Sequence, residues 1–206
     1  MTRGGIVLCG GQSSRMGAPK LALPFGPETM LARIVRLLGE VCVPIVVVAA
    51  PGQELPSLTA NVIVARDRHP GRGPLEGLLA GLSALPADVD AAYATSCDVP
   101  FLVPAFVRRI FELLGDDAIA VPVSDGFQHP LSAVYRRSLT ELIETLLAAD
   151  RLRPRDLFDI VATRRVAANE LLDVDPRLDT LKNLNQPEDY LAALAEAGFV
   201  TAGGTK

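Results

Sequence analysis

Short apolar runs rich in β-branched residues alternate along this chain with longer amphipathic ones, and few folds accept that order. The runs Ile6–Cys9, Pro44–Ala50 (PIVVVAA), Asn61–Ala65, Ala91–Cys97 and Ala118–Val123 read as strands. They are apolar on both faces, which suits a sheet covered on both sides. Between them, Met30, Leu31, Ile34, Val35 and Leu38 recur at helical spacing, as do Leu75, Leu78, Leu79 and Leu82. Phe106, Val107, Ile110, Phe111 and Leu114 form a third stripe, ended by Gly115. This alternation predicts a mostly parallel α/β sheet with right-handed crossovers.

The second half is less regular. His129–Tyr135 reads as a further strand, and Ser138 with Glu141 predicts a capping box for a helix over Leu139–Ala148. A short helix is expected near Pro154, a strand over Arg164–Leu171, and a final helix over Pro187–Glu196 ended by Gly198. Residues 1–198 are expected to form one domain, and residues 199–206 to fray.

With a net charge of −4 and a pI of about 5.2, the chain has no global positive field to draw it to nucleic acid or anionic lipid. A local basic loop can still hold a nucleotide. Cys9, Cys42 and Cys97 lack the paired spacing of a zinc site and read as buried thiols of a reducing compartment. No apolar run approaches the ~18 residues of a membrane span. The expected location is the cytoplasm.

In an open parallel sheet, ligands bind beyond the carboxyl ends of the strands. The loop VLCGGQSSRMGAPK begins there, with Gly10 and Gly11 directly after the first strand. Backbone without Cβ atoms can turn tightly and present N–H groups to an anion. Arg15 and Lys20 can add charge-assisted bonds to phosphate. The spacing is neither G-x-G-x-x-G nor a Walker A loop, since Lys20 stands between Pro19 and Leu21. A glycine turn with surface charges is the alternative.

Asp98 follows AAYATSC and precedes Val-Pro-Phe, at the same sheet edge. Either it holds a hard cation such as Mg²⁺, or it caps the helix starting near Pro104. Asp67 ends another strand and reads as a turn residue or a partner of Arg66 or Arg68. Asn185 with Glu188 makes an N-cap pair before Pro187. His129, with no Ser or Cys nucleophile beside it, reads as structural, and His69 as an exposed loop residue.

The combination of LCGGQSSRMGAPK, GPLEGLLAGL (Gly73–Leu82), SCDVPFL (Ser96–Leu102), DGFQHPLSAVY and NLNQPEDY (Asn183–Tyr190) resembles the molybdenum cofactor guanylyltransferases. These are nucleotidyltransferases sharing a glycosyltransferase-A-like, three-layer Rossmann sandwich. The resemblance spans nearly the whole chain. It implies transfer of GMP from GTP to molybdenum-loaded molybdopterin, with Mg²⁺ as cofactor and other molybdenum cofactor proteins as possible partners. It implies a nucleotide site at Leu8, Cys9, Gly10, Gly11, Lys20, Asp67 and Asp98, catalytic roles for Arg15, Lys20 and Asp98, and metal contacts from Asp98 and Asn185.

This chain departs from the family pattern after its second strand. Val48 and Ala50 stand where some relatives carry a nucleotide-contacting asparagine, and Cys9 replaces an alanine. CTP-dependent transfer, transfer to a sugar 1-phosphate, and a non-catalytic nucleotide-binding module are the alternative functions.

Overall fold

A computed structural model of the chain describes residues 2–10, 19–58, 62–69 and 71–199. The strands are β1 (Arg3–Leu8), β2 (Pro24–Phe25), β3 (Glu28–Thr29), β4 (Ile45–Ala49), β5 (Val62–Arg66), β6 (Ala91–Ser96), β7 (Ile119–Ser124), β8 (Phe127–Gln128), β9 (Ser132–Arg136) and β10 (Thr163–Ala167). The helices are α1 (Met30–Gly39), α2 (Pro74–Ala84), α3 (Pro104–Leu113), α4 (Thr140–Ala148) and α5 (Pro187–Glu196). The main sheet runs β10-β7-β9-β6-β1-β4-β5, with β8 paired to β7, while β2 and β3 form a small separate ribbon. Strand β9 is antiparallel to both neighbours, β6 and β7. The pairs β6–β1, β1–β4, β4–β5 and β7–β10 are parallel.

Side-chain alternation sorts the core into two sides. Val7, Val47, Tyr93, Ala120 and Val134 face α1 and α3. Ile6, Val46, Ala94, Val121 and Tyr135 face α2 and α4. The result is the expected three-layer α/β sandwich around a mostly parallel sheet. Fully buried leucines and isoleucines such as Leu31, Ile34, Leu78 and Leu82 contribute about 1.5–3 kcal/mol each. Close helix approach also depends on glycine. A Cβ on Gly5 would lie 2.6 Å from a Leu38 methyl carbon, and one on Gly81 2.6 Å from Ile6. Among the described residues no helix is long and apolar enough to cross a membrane.

Several local expectations change. Strand β1 starts three residues before Ile6, and β5 is an edge strand with Val64 substantially exposed, not a doubly covered one. The strand expected over Arg164–Leu171 ends at Ala167, where the chain turns through Ala168–Glu170. Ser138 and Glu141 form no capping box. The chain enters α4 from a 3-10 turn, Arg137–Leu139, and the Thr140 N–H already bonds the Arg137 carbonyl. At α5 the cap is made by Asp189, whose Oδ2 accepts from the backbone N–H of Asn185 (3.0 Å) and Gln186 (2.9 Å). The Asn185–Glu188 pairing is thus displaced by one position, because Gln186 is the residue that enters the helix. Phe199, at the start of the segment expected to fray, places its ring edge-on to Phe25 at 5.5 Å. Residues 200–206 lie outside the described residues.

Candidate active site

Parallel pairing brings the carboxyl ends of β1, β4, β5 and β6 to one edge, and each strand hands on its successor residue there. The Cys9 N–H donates to the Val48 carbonyl (2.8 Å), that of Asp67 to Ala49 (3.1 Å), and that of Cys97 to Leu8 (3.2 Å). Gly10, Asp67 and Asp98 therefore share one rim. Leu8 and Cys9 bury their side chains on opposite sides of the sheet, leaving backbone as their contribution to that rim. Gly11 and Arg15 lie outside the described residues.

Asp98 is held at three points. The Ser96 hydroxyl donates to its Oδ1 in a short bond. The Lys20 ammonium donates to Oδ2 at 3.0 Å. The Asp98 carbonyl accepts from the Leu184 N–H at 2.9 Å. Lys20 also donates to the Leu184 carbonyl at 2.6 Å. Residues far apart in sequence thus close on one carboxylate. The helix-cap alternative for Asp98 fails, because the residue entering α3 is Val103, whose N–H donates to the Thr180 hydroxyl at 3.0 Å.

Lys20 is well placed to serve this rim. It opens a 3-10 turn, Lys20–Ala22, with Leu21 buried and the Leu23 N–H bonded to the Lys20 carbonyl. Its backbone is pinned in that turn, and its four-carbon stem carries the ammonium to Asp98 and to the Leu184 carbonyl.

Asp67 lies between two glycines. A Cβ on Gly10 would come within 3.2 Å of Asp67 Oδ2, and one on Gly77 within 3.5 Å of Oδ1. Oδ1 is buried and has no hydrogen-bond partner among the described residues. Desolvation, and then the neighbouring Glu76 carboxylate, push the Asp67 pKa above its ordinary value. Glu76 is itself buried in the first turn of α2, with His69 Nδ1 3.2 Å away. Among the described residues neither Arg66 nor Arg68 bonds or ion-pairs with Asp67; Arg66 reaches the Ala50 and Gln53 carbonyls instead.

Gln53 is a residue whose place the sequence did not announce. Its amide nitrogen donates to the Cys9 carbonyl at 3.2 Å, and its oxygen accepts from the Ala50 N–H at 2.9 Å. A carboxamide thus returns to the rim from which an asparagine at 48 or 50 is missing. Ser96 and Leu184 were similarly hidden, since a serine two residues before an aspartate and a leucine between asparagines carry no recognisable signal. Asn185 is exposed, just beyond Leu184. His129 is half-buried in a desolvated setting that lowers its pKa, and its backbone N–H bonds Pro122.

Among the described residues no three His, Cys, Asp or Glu side chains group as a metal site. A divalent ion at this rim would rest on the Asp98 carboxylate, with its other oxygens from water and phosphate, a donor set that Mg²⁺ accepts. The Lys20 ammonium against Oδ2 marks that side of the carboxylate as one that takes a cation.

The MobA-like NTP transferase domain matches residues 5–166. A probable molybdenum cofactor guanylyltransferase of Mycolicibacterium paratuberculosis is 39% identical over 202 residues, 96% of this chain and 97% of that protein. A protein of the same description from Mycobacterium tuberculosis is 39% identical over 166 residues, 79% of this chain and 82% of its own. Among solved structures, molybdopterin-guanine dinucleotide biosynthesis protein A from Archaeoglobus fulgidus superposes with a TM-score of 0.77 at 19% identity, covering 96% of this chain and 99% of that one. The 2-C-methyl-D-erythritol 4-phosphate cytidylyltransferase of Thermus thermophilus superposes at 0.67 and 18% identity, covering 96% and 100%. At such identities the two structures speak for the fold alone. The domain match and the full-length relative together identify a nucleotidyltransferase, and this chain belongs to the MobA-like NTP transferase family.

Proposed function

We propose that the protein transfers GMP from GTP to molybdenum-loaded molybdopterin, releasing pyrophosphate. The observation that carries this reading is the full-length likeness, at 39% identity, to a probable molybdenum cofactor guanylyltransferase. The rim of Gly10, Lys20, Asp67 and Asp98 supports it, since phosphoryl chemistry asks mainly for positioning and charge stabilisation.

In this reading the terminal phosphate oxygen of molybdopterin attacks the α-phosphorus of GTP in line, and pyrophosphate leaves. No general base is needed, because a phosphate monoester with a second pKa near ~6 is largely ionised at neutral pH. Gly10 and Gly11 offer backbone to the triphosphate, with Arg15 and Lys20 as its cation partners. Asp67 accepts from the guanine nucleotide, and Asp98 holds Mg²⁺, with Asn185 as a second contact. The bound ion would supply Lewis-acid stabilisation at the α-phosphate. Residues 1–198 act as one unit, in a cytoplasm that keeps the buried Cys9, Cys42 and Cys97 thiols free. Other molybdenum cofactor proteins would deliver and receive the product.

The missing asparagine at Val48 and Ala50 favours a second reading, with a different base. Pyrophosphate release from GTP, CTP, ATP and UTP, with and without molybdopterin, separates them. Acceptor-dependent release with GTP is expected. A CTP preference replaces the donor, and magnesium-independent binding without release would leave a non-catalytic module.

A further inference from the structure

The arrangement around Asp98 has two cationic claimants for one oxygen. Oδ1 already accepts from the Ser96 hydroxyl, which leaves Oδ2 as the oxygen offered chiefly to cations. The Lys20 ammonium sits on it at 3.0 Å. A divalent ion bound to Oδ2 would share that oxygen with the ammonium, and neighbouring like charges repel in a partly desolvated site. Both side chains are mostly shielded, at 18% and 15% exposure, which limits screening by solvent.

We propose that Lys20 is a placeholder cation: with no nucleotide bound it occupies the cation position of Asp98 and excludes free divalent ions. A triphosphate, far more negative than one carboxylate, draws the ammonium away and opens Oδ2. Metal and nucleotide thus bind with positive coupling, reciprocal by linkage. The device needs no backbone movement at Lys20, since its turn is anchored by Leu21 and by the Leu23 N–H. Release has a second consequence. Lys20 also leaves the Leu184 carbonyl, which removes a bond tying the Asn183–Asn185 segment to the rim while the Leu184 N–H to Asp98 carbonyl bond remains.

This inference rests on reading Asp98 as the metal-holding residue, but not on the identity of the base or acceptor. Its test uses nucleotide-free protein and Mn²⁺ as the probe, with unbound ion read from its electron paramagnetic resonance signal. Wild type and Lys20→Arg, which keeps the charge, should bind Mn²⁺ weakly. Lys20→Met should bind it at least tenfold more tightly, and Lys20→Gln should repeat that gain with a different uncharged side chain. The gain should vanish in Lys20→Met/Asp98→Asn. Equal Mn²⁺ affinity in wild type and both neutral variants, with thermal unfolding unchanged, overturns the proposal. So does tight binding of free Mn²⁺ to the wild type. Loss of guanylyl transfer as a reading would appear separately, as absent GTP turnover beside an intact Mn²⁺ pattern.

Discussion

A carboxylate proposed to hold a metal ion works best with its oxygens oriented, and the Ser96 hydroxyl on Oδ1 is one of the contacts that orient Asp98. Removing such an orienting partner typically costs 10–100-fold in metal affinity or activity. Ser96→Ala is therefore expected to raise the Mg²⁺ concentration for half-maximal turnover by roughly 10–100-fold. Thermal stability should be little changed, and Ser96→Thr should restore the wild-type requirement. An unchanged Mg²⁺ requirement in a folded Ser96→Ala protein would remove serine from this role. Asp67 presents the opposite case, a carboxyl poorly served by its surroundings. Its pKa lies above the ordinary 3.8, first through desolvation and then through Glu76. Between 3.8 and that raised value the folded chain binds more protons at this site than the unfolded one. Its contribution to stability consequently falls as pH rises through that window. Asp67→Asn should raise the urea midpoint at pH 7 more than at pH 4. The gain should not exceed about 1 kcal/mol, because solvent screens the partly exposed carboxyl. The same variant should bind GTP more weakly, as measured by calorimetry. Both aspartates were legible in the sequence as strand-end acids. Their partners were not, because Lys20, Ser96 and Leu184 converge on Asp98 only after the chain folds.

The element that binds the rim together from outside is α5. Its residues Ala193 and Leu194, with Leu184 just before the helix, join Phe25 and Met30 in a separate small core, which Phe101 and Phe199 flank. Phe25 is fully buried and meets Phe101 edge-on at 5.8 Å. The core thus joins the segment after Lys20, the segment after Asp98 and the segment carrying Leu184. Phe25→Ala is expected to cost about 3–5 kcal/mol if the cavity does not collapse. Amide exchange should accelerate first in α5, and KM for nucleotide should rise as Leu184 loosens. A uniform rise in exchange over α1 and α2 instead would mean that this core is not a separate unit. Helix α5 itself was plain from PEDYLAALAE, with Pro187 at its first turn. Its cap was misassigned because Glu188 and Asp189 are adjacent acids, and only the turn geometry decides which one reaches back. The box at Ser138 failed for a related reason: local capping chemistry competes with a preceding turn that already satisfies the Thr140 N–H.

At the scale of the whole molecule, the parallel half of the sheet was readable because each of its strands is a short apolar run next to an amphipathic helix. The antiparallel insertion was not. HPLSAVY looks like a strand from either direction, and what orients it is the hairpin at Asp125–Gly126, both with positive φ (52° and 78°). Asp-Gly is the standard signal for such a turn, although a strand-by-strand reading does not show where the returning strand will lodge. It lodges between β6 and β7, which are consecutive in the chain but do not pair with each other. That slot has a consequence for how the protein is made. On a ribosome adding ~5–20 residues per second, roughly 2–8 s separate synthesis of Ser96 from that of Arg136. Throughout that interval the growing chain carries β6 with one edge bare. An apolar strand such as AAYATS with an open edge is a template for a neighbouring chain. The hazard of misassembly is therefore greatest in the half-made polypeptide, and it ends when β9 is seated.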